Sequence, residues 1–421
     1  MNFRDSEFAQ GLLMDAGFAK ADSPDAADVI LFNTCSVRRH AEDRAYANIW
    51  NLRAMKDKRP DLVIGVIGCM AQTKREKIFE DIPLVDFTCG PDDEEDLPKI
   101  ISGILKERVN VASLNKIGAK RREMFPGYRG DNLKAFVSIS HGCGNYCSYC
   151  IVPYARGRER SRDPKAIFRE IKDLASRGFK EITLLGQNVN SYDGYGGKSG
   201  GFARLLKDIE RIKGTFRVRF MTSHPKDAQA PLFRAMGELE KICRHLHLPA
   251  QSGSDRILKL MNRRYSAMDY LNAAASYRKL VPGGSLTTDI IVGFPTESDK
   301  DFKKTLNLMK DIEFDSAFVF KYSPRPFTKA AGLADIVPEE VKAGRNTMLL
   351  DAQNTISKKN NLRLVGTTQE VLFESSKGGI AQGRTGPNKV VLVSGGDKLI
   401  GILANVRITD ATCSTLRGEI I

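Results

Sequence analysis

His141-Gly142-Cys143-Gly144-Asn145-Tyr146-Cys147-Ser148-Tyr149-Cys150 is the stretch from which the rest of the chain is best read. Its three cysteines have a Cys-x3-Cys-x2-Cys spacing and directly follow the alternating run Ala135-Phe136-Val137-Ser138-Ile139-Ser140. That alternation predicts a β-strand, which puts the cysteines on the loop at its C-terminal end. Three thiolates so placed can hold three irons of a cubane and leave the fourth iron open, whereas clusters that only carry electrons are held by four. The rival readings are three buried cysteines or a zinc site. Zinc usually takes four ligands in Cys-x2-Cys pairs, and no second pair follows nearby. The open-iron cluster is the stronger reading.

Beyond the loop comes Val152-Pro153-Tyr154-Ala155-Arg156-Gly157-Arg158-Glu159-Arg160-Ser161-Arg162. Arginines at every second position do not make a core strand. Arg156, Arg158, Arg160 and Arg162 form either a solvated face or a grip on carboxylate and phosphate groups, and their place beside the cysteines favours the grip.

From 134 to about 325 the βα alternation continues, with strands predicted near 134–140, 180–185, 216–221, 243–248, 286–292 and 316–321. Six such units suit an open, partial TIM-type barrel, with chemistry at the C-terminal strand ends. Those ends are unusually polar: Gln187-Asn188-Val189-Asn190, Thr222-Ser223-His224-Pro225, His245 to Ser254, and Asp289 to Glu297. Any one amide or histidine there is most simply a loop hydrogen-bonder. Together they make a mouth fit for a large polar cofactor, with Gln187, Ser223, Gln251 and Gly293 as candidate contacts.

The preceding residues 1–110 also alternate helix and strand. A helix is predicted over Arg4–Ala16, then strands Asp28–Thr34, Leu62–Gly68 and Leu84–Thr88, separated by helices Ser36–Lys58 and Gln72–Glu80. Cys35, Cys69 and Cys89 each follow one strand. Repeated βα units argue a doubly wound, flavodoxin-like domain whose ligands bind beyond the carboxyl ends of the strands. The three cysteines are therefore a candidate second metal site, or else small buried residues that close their strands. Residues 111–133 read as a basic linker, 134–360 as the catalytic domain, with 330–360 helical and linking. Residues 361–421 read as a small all-β, OB-like barrel of short glycine-separated strands. Cys243 and Cys413 fall in predicted strands and read as buried structural residues.

The composition is that of a globular protein, 42% apolar and 28% charged. No apolar run reaches about eighteen residues and the start is not signal-like, so a cytoplasmic protein with no membrane partner is expected. Eight cysteines without a paired framework fit a reducing compartment. With 65 basic against 51 acidic residues the formal charge is +14, which favours an acidic partner, most simply nucleic acid.

The Cys-x3-Cys-x2-Cys loop, with Tyr149 before its last cysteine, resembles the signature of the radical S-adenosylmethionine (SAM) enzymes. Asn33-Thr34-Cys35-Ser36-Val37-Arg38 and Gly68-Cys69-Met70-Ala71 are similar to two of the three cysteine motifs of the radical SAM methylthiotransferases, and the C-terminal segment resembles their RNA-binding TRAM domain. The resemblance implies two 4Fe-4S clusters: one on Cys143, Cys147 and Cys150 whose open iron binds SAM, and an auxiliary one on Cys35 and Cys69 that carries the sulfur to be inserted. It also implies that Tyr149 contacts the cofactor. Leu184 to Tyr192 and Thr222-Ser223-His224-Pro225 resemble the MiaB-type branch, which converts N6-(dimethylallyl)adenosine beside the tRNA anticodon to its 2-methylthio form. A tRNA anticodon stem-loop is then the expected substrate, met by the basic excess and the arginines, with an electron donor and a sulfur donor of unknown identity. A monomer is expected.

Two places depart from the family pattern. Phe327 in Tyr322-Ser323-Pro324-Arg325-Pro326-Phe327-Thr328 stands where glycine is usual. The family's first cysteine falls two residues before a Met-Asn-x-x-x-Ser stretch, and here Met1-Asn2-Phe3-Arg4-Asp5-Ser6 is that stretch. The expectation is a truncated start, with the third auxiliary ligand and a central first strand missing, and Cys89 as the alternative third ligand. Two further functions stay open: another methylthiotransferase branch, acting on threonylcarbamoyl adenosine in tRNA or an aspartate of a ribosomal protein, and a non-catalytic Fe–S protein that binds RNA.

Overall fold

The structure is a computed structural model, and it describes residues 1–36, 39–107, 111–114, 117–118, 123, 127–197 and 200–421. Val37 and Arg38 of the Cys35 motif, and part of the segment read as a linker, lie outside the described residues. The chain forms two units. The first comprises Met1–Asp131, Ser140–Arg162 and Ser323–Ala331; the second comprises Asn132–Ile139, Asp163–Tyr322 and Gly332–Ile421. The boundary expected after 133 is therefore interleaved. The cysteine loop belongs with the N-terminal segment, although the strand that leads into it belongs to the other unit.

In the first unit four parallel strands, Val29–Thr34, Val63–Gly68, Phe87–Cys89 and Val111–Ser113, lie side by side in chain order. Every residue of Val63–Gly68 is buried, as a strand covered on both faces must be. Period-two alternation divides it: Val63 and Ile67 pack with Ala9, Phe87, Cys89 and Leu97, while Ile64 and Val66 pack with Ile49, Met70 and Ile78. Val29–Thr34 and Val63–Gly68 are register partners over six residue pairs, and the four strands run in the order of strands 2, 3, 4 and 5 of a flavodoxin-like 2-1-3-4-5 sheet. Two expectations are corrected here. The stretch read as an aperiodic linker contributes the short fourth strand, Val111–Ser113. The long helix expected from Ser36 is broken, its described part being Arg39–Trp50 and Arg53–Lys58 with Asn51 and Leu52 in a turn.

In the second unit six parallel strands follow one another: Lys134–Ser138, Glu181–Leu185, Arg217–Phe220, His245–His247, Ser285–Val292 and Ser316–Lys321. A bridge between Val218 and Ile242 joins the two triplets. All six match the strands expected from sequence. Helices between them begin at strong caps. Asp163 accepts from the Lys165 N–H ahead of Pro164–Ser176, and Ser266 with Asp269 and Ser298 with Asp301 form capping boxes. Helix Glu339–Leu362 is no linker. It buries Arg345, Leu349, Gln353 and Ile356, and Gln353 donates to the Phe314 carbonyl at 2.7 Å.

Residues 368–420 form a closed five-stranded barrel, strands Thr368–Lys377, Ile380–Thr385, Val390–Ser394, Thr415–Ile420 and Leu403–Ala411 in that order around it. Its 384–386 loop takes bonds from Arg217 and Arg219 of the third parallel strand, 2.9 Å to Arg384 O and 3.1 Å to Thr385 O. Both arginines hold buried Glu181, at 2.7 and 3.1 Å. Burial alone would raise the Glu181 carboxyl, but the two guanidiniums outweigh it and keep it below the usual range. Cys243 is buried but sits just before its strand, and Cys413 is exposed in a turn, not in a strand.

Candidate iron–sulfur and cofactor site

The cysteine loop is closed at its base by a short antiparallel ribbon that pairs Ser140 with Ser161 and His141 with Arg160. Gly142 makes this closure possible. Its φ is +77°, and a Cβ there would stand 2.2 Å from the Arg158 carbonyl oxygen. Cys143 N–H then donates to Gly157 O at 3.1 Å, and Cys150 N–H to Cys147 O at 3.0 Å. Cys147 is buried, Cys143 and Cys150 are half-buried, and Tyr149 is half-buried between them in sequence. Burial pushes the Cys143 thiol up, Asn145 draws it down by hydrogen bonding, and neighbouring Cys147 raises it again. Such thiols shed their protons when iron binds, so loading a cluster here releases protons.

Cys35 and Cys69 leave the sheet together. Thr34 and Gly68, the residues before them, are register partners at the ends of adjacent strands. Gly68, at φ +88°, allows the close turn; a Cβ there would meet Asn33 Oδ1 at 2.6 Å and Thr34 O at 3.0 Å. Cys69 then opens the short helix Cys69–Lys74 and is buried, while Cys35 is half-buried. Cys89 differs. It is fully buried on the sheet face shared by Ala9, Val63 and Ile67, and its thiol donates to the carbonyl of Gly90 at 3.5 Å. That is the setting of a core residue.

Arg156 ties the two cysteine sets together within this unit. Buried at the end of helix Val152–Arg156, it donates Nε–H to Cys69 Sγ at 3.1 Å and Nη2–H to Asp5 at 2.6 Å. Burial pushes the Cys69 thiol up against the pull of the Arg156 charge and hydrogen bond, with Cys35 and Asp5 adding to the rise. Two other arginines also find carboxylates inside the chain: Arg160 grips Asp92 with both oxygens, at 2.8 and 3.0 Å, and Arg162 reaches Glu123 at 2.9 Å. Of the four expected to grip substrate, only Arg158 is exposed.

Among the described residues no three His, Cys, Asp or Glu side chains converge to hold a single metal ion. A cubane does not ask for that, because each thiolate binds a different iron and the sulfurs stand around a cube. The donor set fits the group: thiols only, shielded, with N–H donors on Cys69 and Cys143.

In the second unit the polar strand ends hold a cluster of buried atoms without protein partners. Among the described residues nothing answers Gln187 Oε1, Asn188 Oδ1, Ser223 Oγ or His224 Nε2. Each orphaned group costs about 1–3 kcal/mol, so four on neighbouring strand ends make this a candidate ligand site. The framework around them is fixed. Asn188 donates to Asp227 at 2.8 Å, and Asn190 exchanges bonds with the His224 backbone at 3.0 and 2.9 Å. Thr222, β-branched and at φ +72°, and Gln251, at φ +66°, hold left-handed backbone at two strand ends, where such strain tends to mark function.

His224 was not singled out by the sequence, though Thr222-Ser223-His224-Pro225 was. Its Nδ1 accepts from the Lys226 N–H at 3.2 Å, so the neutral ring carries its proton on Nε2. Burial first, then Arg263, Lys226 and Arg264, push its pKa down to about 2. Gln251 is buried at its strand end. Gly293 has another role: its N–H is taken by Glu297 at 2.7 Å, and a Cβ would strike the Lys342 stem at 2.3 Å.

Three family models match the chain: the Radical SAM superfamily over 137–309, the uncharacterized protein family UPF0004 over 1–90, and the TRAM domain over 362–421. The chain is 47% identical over 426 residues to a tRNA-2-methylthio-N(6)-dimethylallyladenosine synthase of Clostridium novyi, covering all of this chain and 94% of that one. It is 44% identical over 425 residues to the protein of the same name from Caldicellulosiruptor saccharolyticus, covering all of this chain and 90% of that one. Among solved structures it is similar to the radical SAM methyltransferase TsrM of Kitasatospora setae, with a TM-score of 0.55 over 78% of this chain and 68% of that one. At 14% identity that likeness speaks to the fold alone.

Proposed function

Because this chain belongs to the family of the tRNA-2-methylthio-N(6)-dimethylallyladenosine synthases, we propose that its two cysteine sets divide the work of one methylthiolation. The chain is a transferase of the radical SAM class that acts on tRNA, and SAM and 4Fe-4S clusters are its cofactors. In our reading Cys143, Cys147 and Cys150 hold the cluster that binds SAM, and Cys35 and Cys69 hold an auxiliary cluster that supplies sulfur. When bound, these groups supply the electron that cleaves SAM, the methyl group and the sulfur.

The chain's own residues have narrower tasks. Asn145 and Arg156 point N–H donors at Cys143 and Cys69 and so favour their thiolate forms. Tyr149 serves the cofactor from the cysteine loop. Within the second unit Gln187, Asn188, Ser223, Gln251 and the Nε2–H of His224 offer hydrogen bonds to polar edges of cofactor or base. Gly293 acts by making room. Arg158 meets phosphate; Arg156, Arg160 and Arg162 hold the protein together. The substrate is the anticodon stem-loop, whose single-stranded bases can be splayed into a pocket. The enzyme then works in the cytoplasm as a monomer, fed by separate electron and sulfur donors.

The observation that carries this reading is the Arg156 bond to Cys69, which couples the helix after the radical loop to the second cysteine set. Mass spectrometry of tRNA nucleosides tests the function. A strain lacking the gene should accumulate N6-(dimethylallyl)adenosine, and the gene on a plasmid should restore the 2-methylthio form. Restoration of a methylthiolated threonylcarbamoyl adenosine or ribosomal aspartate instead would sink it. The purified, reconstituted protein should release 5′-deoxyadenosine from SAM; tRNA binding without that release would favour the non-catalytic reading.

A further inference from the structure

Phe327 lies at the third position of the turn Arg325-Pro326-Phe327-Thr328, closed by the Thr328 N–H on Arg325 O at 3.3 Å. Proline at the second position and φ +65° at the third are the pattern of a type II turn, whose third position favours glycine. A bulky residue held there is strained. The ring gains little burial in return, being 64% exposed. The turn is held in place nonetheless. Arg325 reaches Glu42 at 3.3 Å, Thr328 Oγ1 donates to Arg325 O at 2.7 Å, and Ala330 N–H donates to Ser148 O of the cysteine loop at 2.7 Å.

The Phe327 ring is the end of a row. It stands 6.4 Å from Tyr154, tilted by 33°, and Tyr154 stands 6.1 Å edge-on from Tyr146. Tyr146 belongs to the cysteine loop, has φ +49° and is 37% exposed. Two of the three rings thus sit on left-handed backbone and face outward. Nothing in core packing calls for that.

We propose that Phe327, backed by Tyr154 and Tyr146, is a stacking platform for an unpaired nucleobase of the anticodon loop, one adjoining the base to be modified. The inference rests on the tRNA reading above and adds a base contact to it. Single-stranded RNA is gripped by base faces stacked on aromatic rings beside cations that meet the backbone. The net charge of +14 and exposed Arg158, which follows Tyr154 by four residues, supply cations for the backbone. A flat, outward ring held at a fixed place is what stacking requires.

The test uses the reconstituted full chain and a synthetic anticodon stem-loop RNA carrying N6-(dimethylallyl)adenosine, with 2-aminopurine at one unpaired position at a time. Wild type should quench 2-aminopurine beside the modified adenosine. Phe327→Gly and Phe327→Leu should each weaken binding by roughly 5- to 150-fold, the worth of one stacked base, and remove that quenching. Phe327→Trp should keep both. Phe327→Gly should melt no lower than wild type, because glycine relieves the turn. Unchanged RNA affinity in Phe327→Gly would overturn the platform, and so would quenching that survives the change. A wild-type chain that fails to bind the RNA at all would overturn the tRNA reading itself. Wild-type self-association abolished by Phe327→Gly, with RNA affinity intact, would assign the ring to a second copy and overturn the proposal.

Discussion

Arg156 donates to the sulfur of Cys69 at 3.1 Å, although 87 residues separate the two in the chain. The same guanidinium holds Asp5 at 2.6 Å, and all three groups are buried. Three distant segments, the N-terminal helix, the turn after the second strand and the helix after the radical loop, are thereby joined at one cation.

That junction makes Arg156 sensitive to change. Arg156→Met leaves Asp5 buried without its counter-ion, which should cost about 3–5 kcal/mol. Arg156→Lys keeps a charge for Asp5 but loses the planar fork that serves both partners, so it should cost less while still exposing Cys69. Urea denaturation gives the stabilities, and iron per chain after anaerobic reconstitution reports the cysteine sets. A Met variant as stable as wild type would show that the pair contributes nothing.

The radical loop should fail in two distinct ways. Cys143→Ala, Cys147→Ala or Cys150→Ala removes a thiolate the open cluster needs, so 5′-deoxyadenosine formation should vanish while tRNA still binds. Gly142→Ala leaves every ligand in place, yet its Cβ would stand 2.2 Å from Arg158 O on a backbone at φ +77°. The loop must open at its base, and SAM cleavage should drop at least tenfold with partial loss of iron. Full activity in Gly142→Ala would show that the ribbon does not set the loop.

Much of this was legible in the chain. The six strands of the second unit announce themselves by apolar runs, and Val63–Gly68 reads as buried on both faces because it is. The cysteine spacing and the family resemblance together point to the radical loop. What stayed hidden is what periodicity does not carry. Val111–Ser113 is too short to show a period. Asp5, Asp92 and Glu123 lie far in sequence from the arginines they hold, so a ladder of four exposed cations was expected where three are paired inside. The order of parallel strands is set by packing, and here it follows the flavodoxin-like order from its second strand onward. Phe327 reads as a mere departure until its φ of +65° gives the glycine preference a cause.

The small barrel's attachment should be acid-sensitive. The Glu181 carboxyl is held low in the folded chain by Arg219 and Arg217, so it binds its proton less readily than in the unfolded chain. Its contribution is therefore present above the unfolded pKa of about 4.3 and is lost as pH falls through the folded value. Glu181→Gln should cost about 3–5 kcal/mol by leaving two buried guanidiniums unanswered, and should flatten the acid limb of the stability curve. Limited proteolysis between 360 and 368 at falling pH checks it. Equal acid sensitivity in wild type and variant would exclude Glu181 as the cause.

His224 should stay neutral across the working range. Its folded pKa, pushed down to about 2, lies far below the 6.5 of a free imidazole. The unfolded chain therefore takes up a proton below pH 6.5 that the folded chain refuses, and stability falls as pH drops from there toward the folded value. Above pH 6.5 the ring costs nothing and keeps Nε2–H as a donor, since Nδ1 is occupied by the Lys226 N–H. Nitrogen-15 NMR should show one neutral tautomer from pH 5 to 8, with the Nε2–H signal shifting on addition of SAM or the stem-loop RNA. His224→Phe keeps a ring but removes the donor, and should weaken whichever ligand moves that signal by roughly 2- to 12-fold, one ordinary hydrogen bond. A titration midpoint near 6.5 would contradict the burial, and an Nε2–H unmoved by either ligand would show that the orphaned donor serves no substrate.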